Sequence, residues 1–246
     1  SSGSWLTDLW WNPNESGWGV TITHQEQILF LTFFIYRSDG TPYWVTAQLS
    51  RTTPGTGVTL PVAYSGDVYE TRGTYFGVPF NPAQTLVRRV GAASFSTSDG
   101  SSATLIYSID GVTTQKYIER QTLTNMNFSG RYLGGVLYTT YNCLSSSQNG
   151  QTIADGGYLS ITHSGATVAI VASSQTGTCT FNGLYKQYGV LGKAEGQFTC
   201  SDGTRGTFGI TAMQWAITGM SGVLYGRSQY CDFEGGLGGI TFDHVQ

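Results

Sequence analysis

Five of the six tryptophans lie before residue 45: Trp5, Trp10, Trp11, Trp18 and Trp44. A barrel core has use for Trp5 and Trp18. It has less use for Trp10, Trp11 and Trp44, because indole is large, is rarely buried completely and carries an N–H that wants a partner. Flat aromatic faces are platforms for the apolar faces of sugars or for planar ligands. Trp11, Trp18, Tyr36, Tyr43 and Trp44 are therefore the candidate platform, with Glu15 beside them; packing between elements is the competing use of the same rings. Glu15 stands in a turn punctuated by Pro13 and Gly17. A carboxylate against apolar surface has a raised pKa and can act as an acid or a hydrogen-bond acceptor; alternatively it braces the turn by accepting backbone N–H bonds. If the chain were a hydrolase, Glu15, His24 and Asp39 are the residues from which a site would be assembled. Asp67 and Glu70 join Glu15 and Asp39 as carboxylates that could pair for glycoside hydrolysis.

Other chemistries find little support. Three histidines, His24, His163 and His244, are too few and too scattered for a metal site, so no metal and no cofactor is expected. No Gly-x-Ser-x-Gly elbow occurs, and no glycine-rich loop sits between a strand and a helix as phosphate binding requires. The reading leans away from an enzyme. Twelve Lys and Arg stand against 15 Asp and Glu without a basic cluster, which argues against nucleic acid. No apolar run is long enough for a membrane-spanning helix. The opening Ser1-Ser2-Gly3-Ser4 reads as a processed end or an artificial scar.

The elements that must carry these residues are strands. Of 246 residues, 34 are glycine and only 11% are charged; with scattered aromatics, Ser and Thr, this suits short strands and tight turns. Trp18, Val20, Ile22 and His24 alternate with Gly19, Thr21 and Thr23. Asp110-Gly111 between Ala103–Ile109 and Val112–Ile118 is a two-residue hairpin signature, since both turn positions favour positive φ. Thr85–Val90 is β-branched enough to be a strand. The run from Ile28 to Tyr36 is apolar on both faces; something should cover its outer side, either the other half of the chain or a second copy binding through Ile28–Ile35.

A weak repeat divides the chain. Ile22-Thr23-His24 resembles Ile161-Thr162-His163, 139 residues later, and Phe95–Gly100 resembles Phe198–Gly203, 103 residues later. The unequal offsets predict an insertion in the first half, within Arg51–Tyr75. The prediction is an all-β chain of two tandem antiparallel up-and-down barrel-like domains, residues 1–124 and 125–246, with β-sandwiches as the alternative. All four cysteines fall in the second half and none forms a C-x-x-C pair, so disulfides are favoured over zinc. Cys179–Cys200 would link neighbouring strands, and Cys143–Cys231 would tie an early strand to a late one, as closure requires. Disulfides place the protein outside the cytoplasm, secreted or at the surface or in the periplasm of a bacterium.

The segment Trp10-Trp11-Asn12-Pro13-Asn14-Glu15-Ser16-Gly17-Trp18-Gly19 resembles a motif of a family of secreted proteobacterial proteins. The following His24-Gln25, the aromatics Phe33 to Tyr36, Asp39-Gly40 and Tyr43-Trp44 extend the likeness. So do the stretch Tyr107–Val112 and the second half's Cys179, Gly192 and Phe198–Gly203. The family is poorly characterised, so the resemblance implies export and little about activity. Gly3-Ser4-Trp5 is similar to the start of avidins and lipocalins, although no biotin-site pattern accompanies it. Three functions follow from these observations: a secreted module binding a glycan or small, partly apolar molecule through the tryptophan-rich half; a secreted hydrolase of a polysaccharide or ester polymer; and a structural or adhesive surface domain.

Overall fold

A computed structural model describes residues 5–55 and 60–243; His244 and most of the Gly3-Ser4-Trp5 signature lie outside them. The chain divides into two compact units, residues 1–121 and 122–246. The first contains β1 (Asp8–Trp11), β2 (Gly19–Gln25), β3 (Ile28–Tyr36), β4 (Pro42–Arg51), β5 (Val62–Arg72), β6 (Leu86–Thr97), β7 (Ser102–Ile109) and β8 (Val112–Arg120). The second contains β9 (Gly130–Tyr141), β10 (Thr152–Ser164), β11 (Thr167–Ser174), β12 (Thr178–Tyr188), β13 (Leu191–Cys200), β14 (Arg205–Ala216), β15 (Gly219–Ser228) and β16 (Asp232–Asp243). Each set forms a closed antiparallel barrel in which every strand pairs with its chain neighbours and the last returns to the first. Closure leaves no sheet edge to protect, and it replaces the sandwich alternative.

Side-chain alternation fills the interiors. In the first barrel Trp10, Val20, Ile22, Leu31, Phe33 and Phe95 are buried in one core. Trp10 is wholly buried, with Nε1 donating to the Leu6 carbonyl at 3.1 Å and its ring meeting Phe95 edge-on. The expectation that the core has little use for this tryptophan is corrected: its N–H finds a carbonyl inside the barrel. The second core gathers Phe128, Tyr132, Leu159, Ile161, Phe198, Phe208 and Phe233. Asp110-Gly111 makes the expected β7–β8 turn, with φ of 47° and 84°. A short 3-10 turn at Pro82–Gln84 precedes β6. Cys143 is bonded to Cys231, and Cys179 to Cys200 across β12 and β13.

The two halves repeat a closing device. In the first barrel, His24 at the end of β2 accepts the Leu6 N–H on Nδ1 (3.4 Å), so the proton is on Nε2, which donates to the Glu26 carbonyl at 2.8 Å. Its own backbone N–H donates to the Thr7 hydroxyl. In the second, His163 at the end of β10 accepts the Phe128 N–H on Nδ1 (3.3 Å), pairs through Nε2 with the Gly165 carbonyl at 3.0 Å, and donates its backbone N–H to Ser129. Each histidine thus latches the entering chain, Leu6 or Phe128, as a plug across one end of its barrel. Four residues on from the plug, Trp10 and Tyr132 both donate back to its carbonyl.

The second half of the expected repeat is corrected. Ser98-Asp99-Gly100 joins β6 to β7, the sixth and seventh strands of its barrel, whereas Ser201-Asp202-Gly203 joins β13 to β14, the fifth and sixth of theirs. The likeness is between turn sequences at opposite ends of the two barrels and so does not measure an insertion, yet the first half does carry extra length within Arg51–Tyr75: residues 52–61 join β4 to β5 where residues 189–190 join β12 to β13. The longer connections of the first half are residues 52–61 and 73–85.

Candidate functional site

The end of each barrel away from its histidine is the mouth. In the first barrel it is filled. Trp18 and Ile35 pack against the core there, beside buried Tyr43 and Tyr107. Trp18 Nε1 donates to Glu15 at 2.9 Å, and Lys116 reaches the same carboxylate at 2.5 Å while lying over the indole. Across the mouth, nearly buried Glu70 takes Arg37 at 3.0 Å and Arg88 at 2.8 Å, and Arg88 also binds Asp110. The Arg37 guanidinium covers the Tyr43 ring.

These positions rearrange the candidates read from the sequence. Glu15 is held below the usual carboxylate range, by the hydrogen bond from Lys116 first and then by Trp18. That corrects the expectation of a raised pKa: the ammonium outweighs the apolar neighbours. Asp39 caps its own turn, accepting the backbone and hydroxyl of Thr41. His24 is locked in the plug at the opposite end. Glu15, His24 and Asp39 therefore share no hydrogen bond and no cleft. The carboxylates Asp67 and Glu70 are engaged by Arg89 and by Arg37 and Arg88. The aromatic residues are also dispersed. Tyr43 points inward; Trp44 points outward and pairs across the sheet with Phe34, both about half exposed at 52% and 51%. Trp11 is on the outer side of β1, partly buried, opposite Glu119 of β8. Tyr36 donates to the Gly17 carbonyl and ties down the Glu15 loop. On β3, Leu29, Leu31 and Phe33 face in, while Phe30, Phe34 and Tyr36 face out and are exposed.

The second barrel's mouth is open. A cavity of about 480 Å³ enters it between β9–β13, β15 and β16. Its apolar wall is formed by the rings of Tyr138, Phe181, Phe198 and Phe233, in contact as a chain: Phe181 stacks on Phe198 at 5.4 Å, and Phe233 meets both Phe198 and Tyr138. Glycines supply the space. A Cβ on Gly157 would fall 2.0 Å from the Ser173 carbonyl, so only glycine allows β10 and β11 to run so close here. The rim is polar: Asp155 accepts the hydroxyls of Ser174 (2.8 Å) and Thr176 (3.0 Å), and Asp202 accepts the backbone and hydroxyl of Thr204. Both disulfides line the entrance and bind its strands together. The Tyr138 hydroxyl makes no hydrogen bond among the described residues; burial first, then the charges of Asp155 and Asp202, push its phenol up. The volume is within the range of small-molecule pockets, roughly 300–1,000 Å³.

Sequence reasoning looked for a site in the first barrel, whereas the open mouth is in the second. The surplus of tryptophan marked the first barrel, where Trp10 is in the core, Trp18 helps close the mouth, and Trp11 and Trp44 lie on the outer side. The second mouth carries no concentrated motif; its signal was the confinement of all four cysteines to one barrel. Among the described residues, no group of three or more His, Cys, Asp or Glu could hold a metal ion. No helix among them is long and apolar enough to cross a membrane. Compared with family models, curated proteins and solved structures, the chain gives no match.

Proposed function

We propose that this is a secreted binding protein that holds one small, partly apolar ligand in the mouth of its second barrel. The observation that carries the reading is the cavity of about 480 Å³, with aromatic rings at its wall, hydroxyls and carboxylates at its rim and a covalently braced entrance. This is the composition of a recognition pocket: apolar area for affinity and a few fixed polar groups for orientation. Two disulfides support an oxidising compartment. The test uses the neutral dye N-phenyl-1-naphthylamine and the variant Ala172→Trp, which fills the cavity from β11. Saturable fluorescence enhancement with the wild type and at least tenfold weaker binding by the variant supports the reading. No saturable binding, or equal binding by a folded variant, rejects it.

A second reading, self-association through the outer wall of the first barrel, is favoured by exposed Phe30, Phe34 and Trp44 on adjacent β3 and β4. Sedimentation over a hundredfold concentration range tests it: a mass that rises with concentration in the wild type, and not in Phe34→Ser, supports it, and a constant monomer mass ends it.

A further inference from the structure

The charges at the cavity are of one sign. Its lining includes Asp155 and Asp202 and no Lys, Arg or His. Elsewhere this chain neutralises its inward carboxylates with cations: Glu70 with Arg37 and Arg88, and Asp8 with buried Arg120. Asp155 has only hydroxyl partners, Ser174 and Thr176, which orient a carboxylate without cancelling its charge. Both hydroxyls donate to Asp155 Oδ2, and Oδ1 has no hydrogen bond among the described residues. Below the rim lie four aromatic rings whose faces are electron-rich and attract cations, most strongly where water is excluded. The Tyr138 hydroxyl adds one more acceptor oxygen to the lining. An anionic ligand would meet two carboxylates and no compensating group. A neutral apolar ligand would leave the fixed negative charge unused.

We infer that the ligand of this cavity carries a cationic head, an alkylated ammonium joined to an apolar body, with the head between the Asp155 carboxylate and the ring wall of Tyr138 and Phe233. This rests on the proposed binding role of the second mouth and specifies its ligand class. Asp155 gives direction and the rings give contact area, so a quaternary ammonium suits the site better than a bare, strongly hydrated one.

The test measures displacement of N-phenyl-1-naphthylamine by the isosteric pair phenyltrimethylammonium and neutral tert-butylbenzene, and by anionic 4-tert-butylbenzoate. The expected order is cation first, at least about tenfold tighter than the neutral probe, with the anion weakest. Asp155→Asn keeps an acceptor for Ser174 and Thr176. It should weaken the cation about tenfold and leave dye and neutral probe unchanged, which also reports that the cavity is intact. Raising the salt concentration should weaken only the cation. If the neutral probe equals or exceeds the cation, or Asp155→Asn leaves the cation unaffected, the cation inference is overturned while the binding role stands. If neither dye nor any probe binds, the binding role and this inference fall together.

Discussion

Replacing His24 by leucine keeps bulk at the plug of the first barrel and removes both ring nitrogens. The Leu6 N–H, wholly buried, then loses its acceptor, and the Glu26 carbonyl loses its donor. An orphaned buried donor costs about 1–3 kcal/mol and the second hydrogen bond about 1 kcal/mol, so the variant should lose about 2–4 kcal/mol. The Thr7 hydroxyl still accepts from the backbone at position 24, which keeps the loss from growing larger. Burial, the largest influence, lowers the histidine from its ordinary value of 6.5, so the folded state prefers the neutral ring. The stability it contributes is present above pH 6.5 and is lost as pH falls through the folded value, because the unfolded chain takes up a proton first. Urea unfolding at pH 7.5 and 5.5, followed by tryptophan fluorescence, reads both effects. The gap between wild type and His24→Leu should be about 2–4 kcal/mol at pH 7.5 and should narrow at pH 5.5. A loss under about 0.5 kcal/mol, or a gap that does not change with pH, would refute the latch.

Three further outcomes follow from named contacts. Glu26 adopts φ 52° where the corresponding turn of the second barrel has Gly165 at φ 58°; Glu26→Gly should raise stability by about 0.5–1 kcal/mol, visible as a higher melting temperature. In the chain-entropy account, the Cys143–Cys231 bond, spanning 88 residues, is worth about 4.6 kcal/mol, and Cys179–Cys200, spanning 21, about 3.3 kcal/mol. Removing the first pair by Cys→Ala exchange should therefore cost about 1 kcal/mol more in denaturant unfolding. Burial pushes the Tyr185 phenol up from 10.0 to about 12. The stability this gives is complete below pH 10 and is lost as pH rises through about 12, so Tyr185→Phe should show a shallower alkaline loss than wild type in melts across that window.

The fold was legible because its signals are local and redundant. Alternation along β2 and the Asp110-Gly111 turn each depend on only a few consecutive residues, and barrel closure follows once eight such strands must hide their edges. The disulfide pairing was legible for the same reason: residues of adjacent strands, or of the first and last strand, are the ones a closed sheet brings together. Ser-Asp-Gly misled because a turn of three residues recurs wherever a hairpin needs one and says nothing about which strands it joins. The Ile-Thr-His pair was informative, yet its meaning as a plug latch needed the plug residues Leu6 and Phe128, which lie 18 and 35 residues away from their histidines. Trp11, Trp18 and Trp44 drew attention to the first barrel because residue type does not reveal whether a ring fills a space or faces one. The cavity itself was hidden, since its wall is gathered from seven strands and its volume comes from what glycines such as Gly157 leave out.

The account is tested most directly by two-dimensional amide NMR of the intact protein titrated with N-phenyl-1-naphthylamine. It predicts saturable shifts confined to the second mouth, around Tyr138, Asp155, Ala172 and Phe181, with the first barrel unmoved. Shifts centred on Phe34 and Trp44, or none at saturating dye, would contradict it.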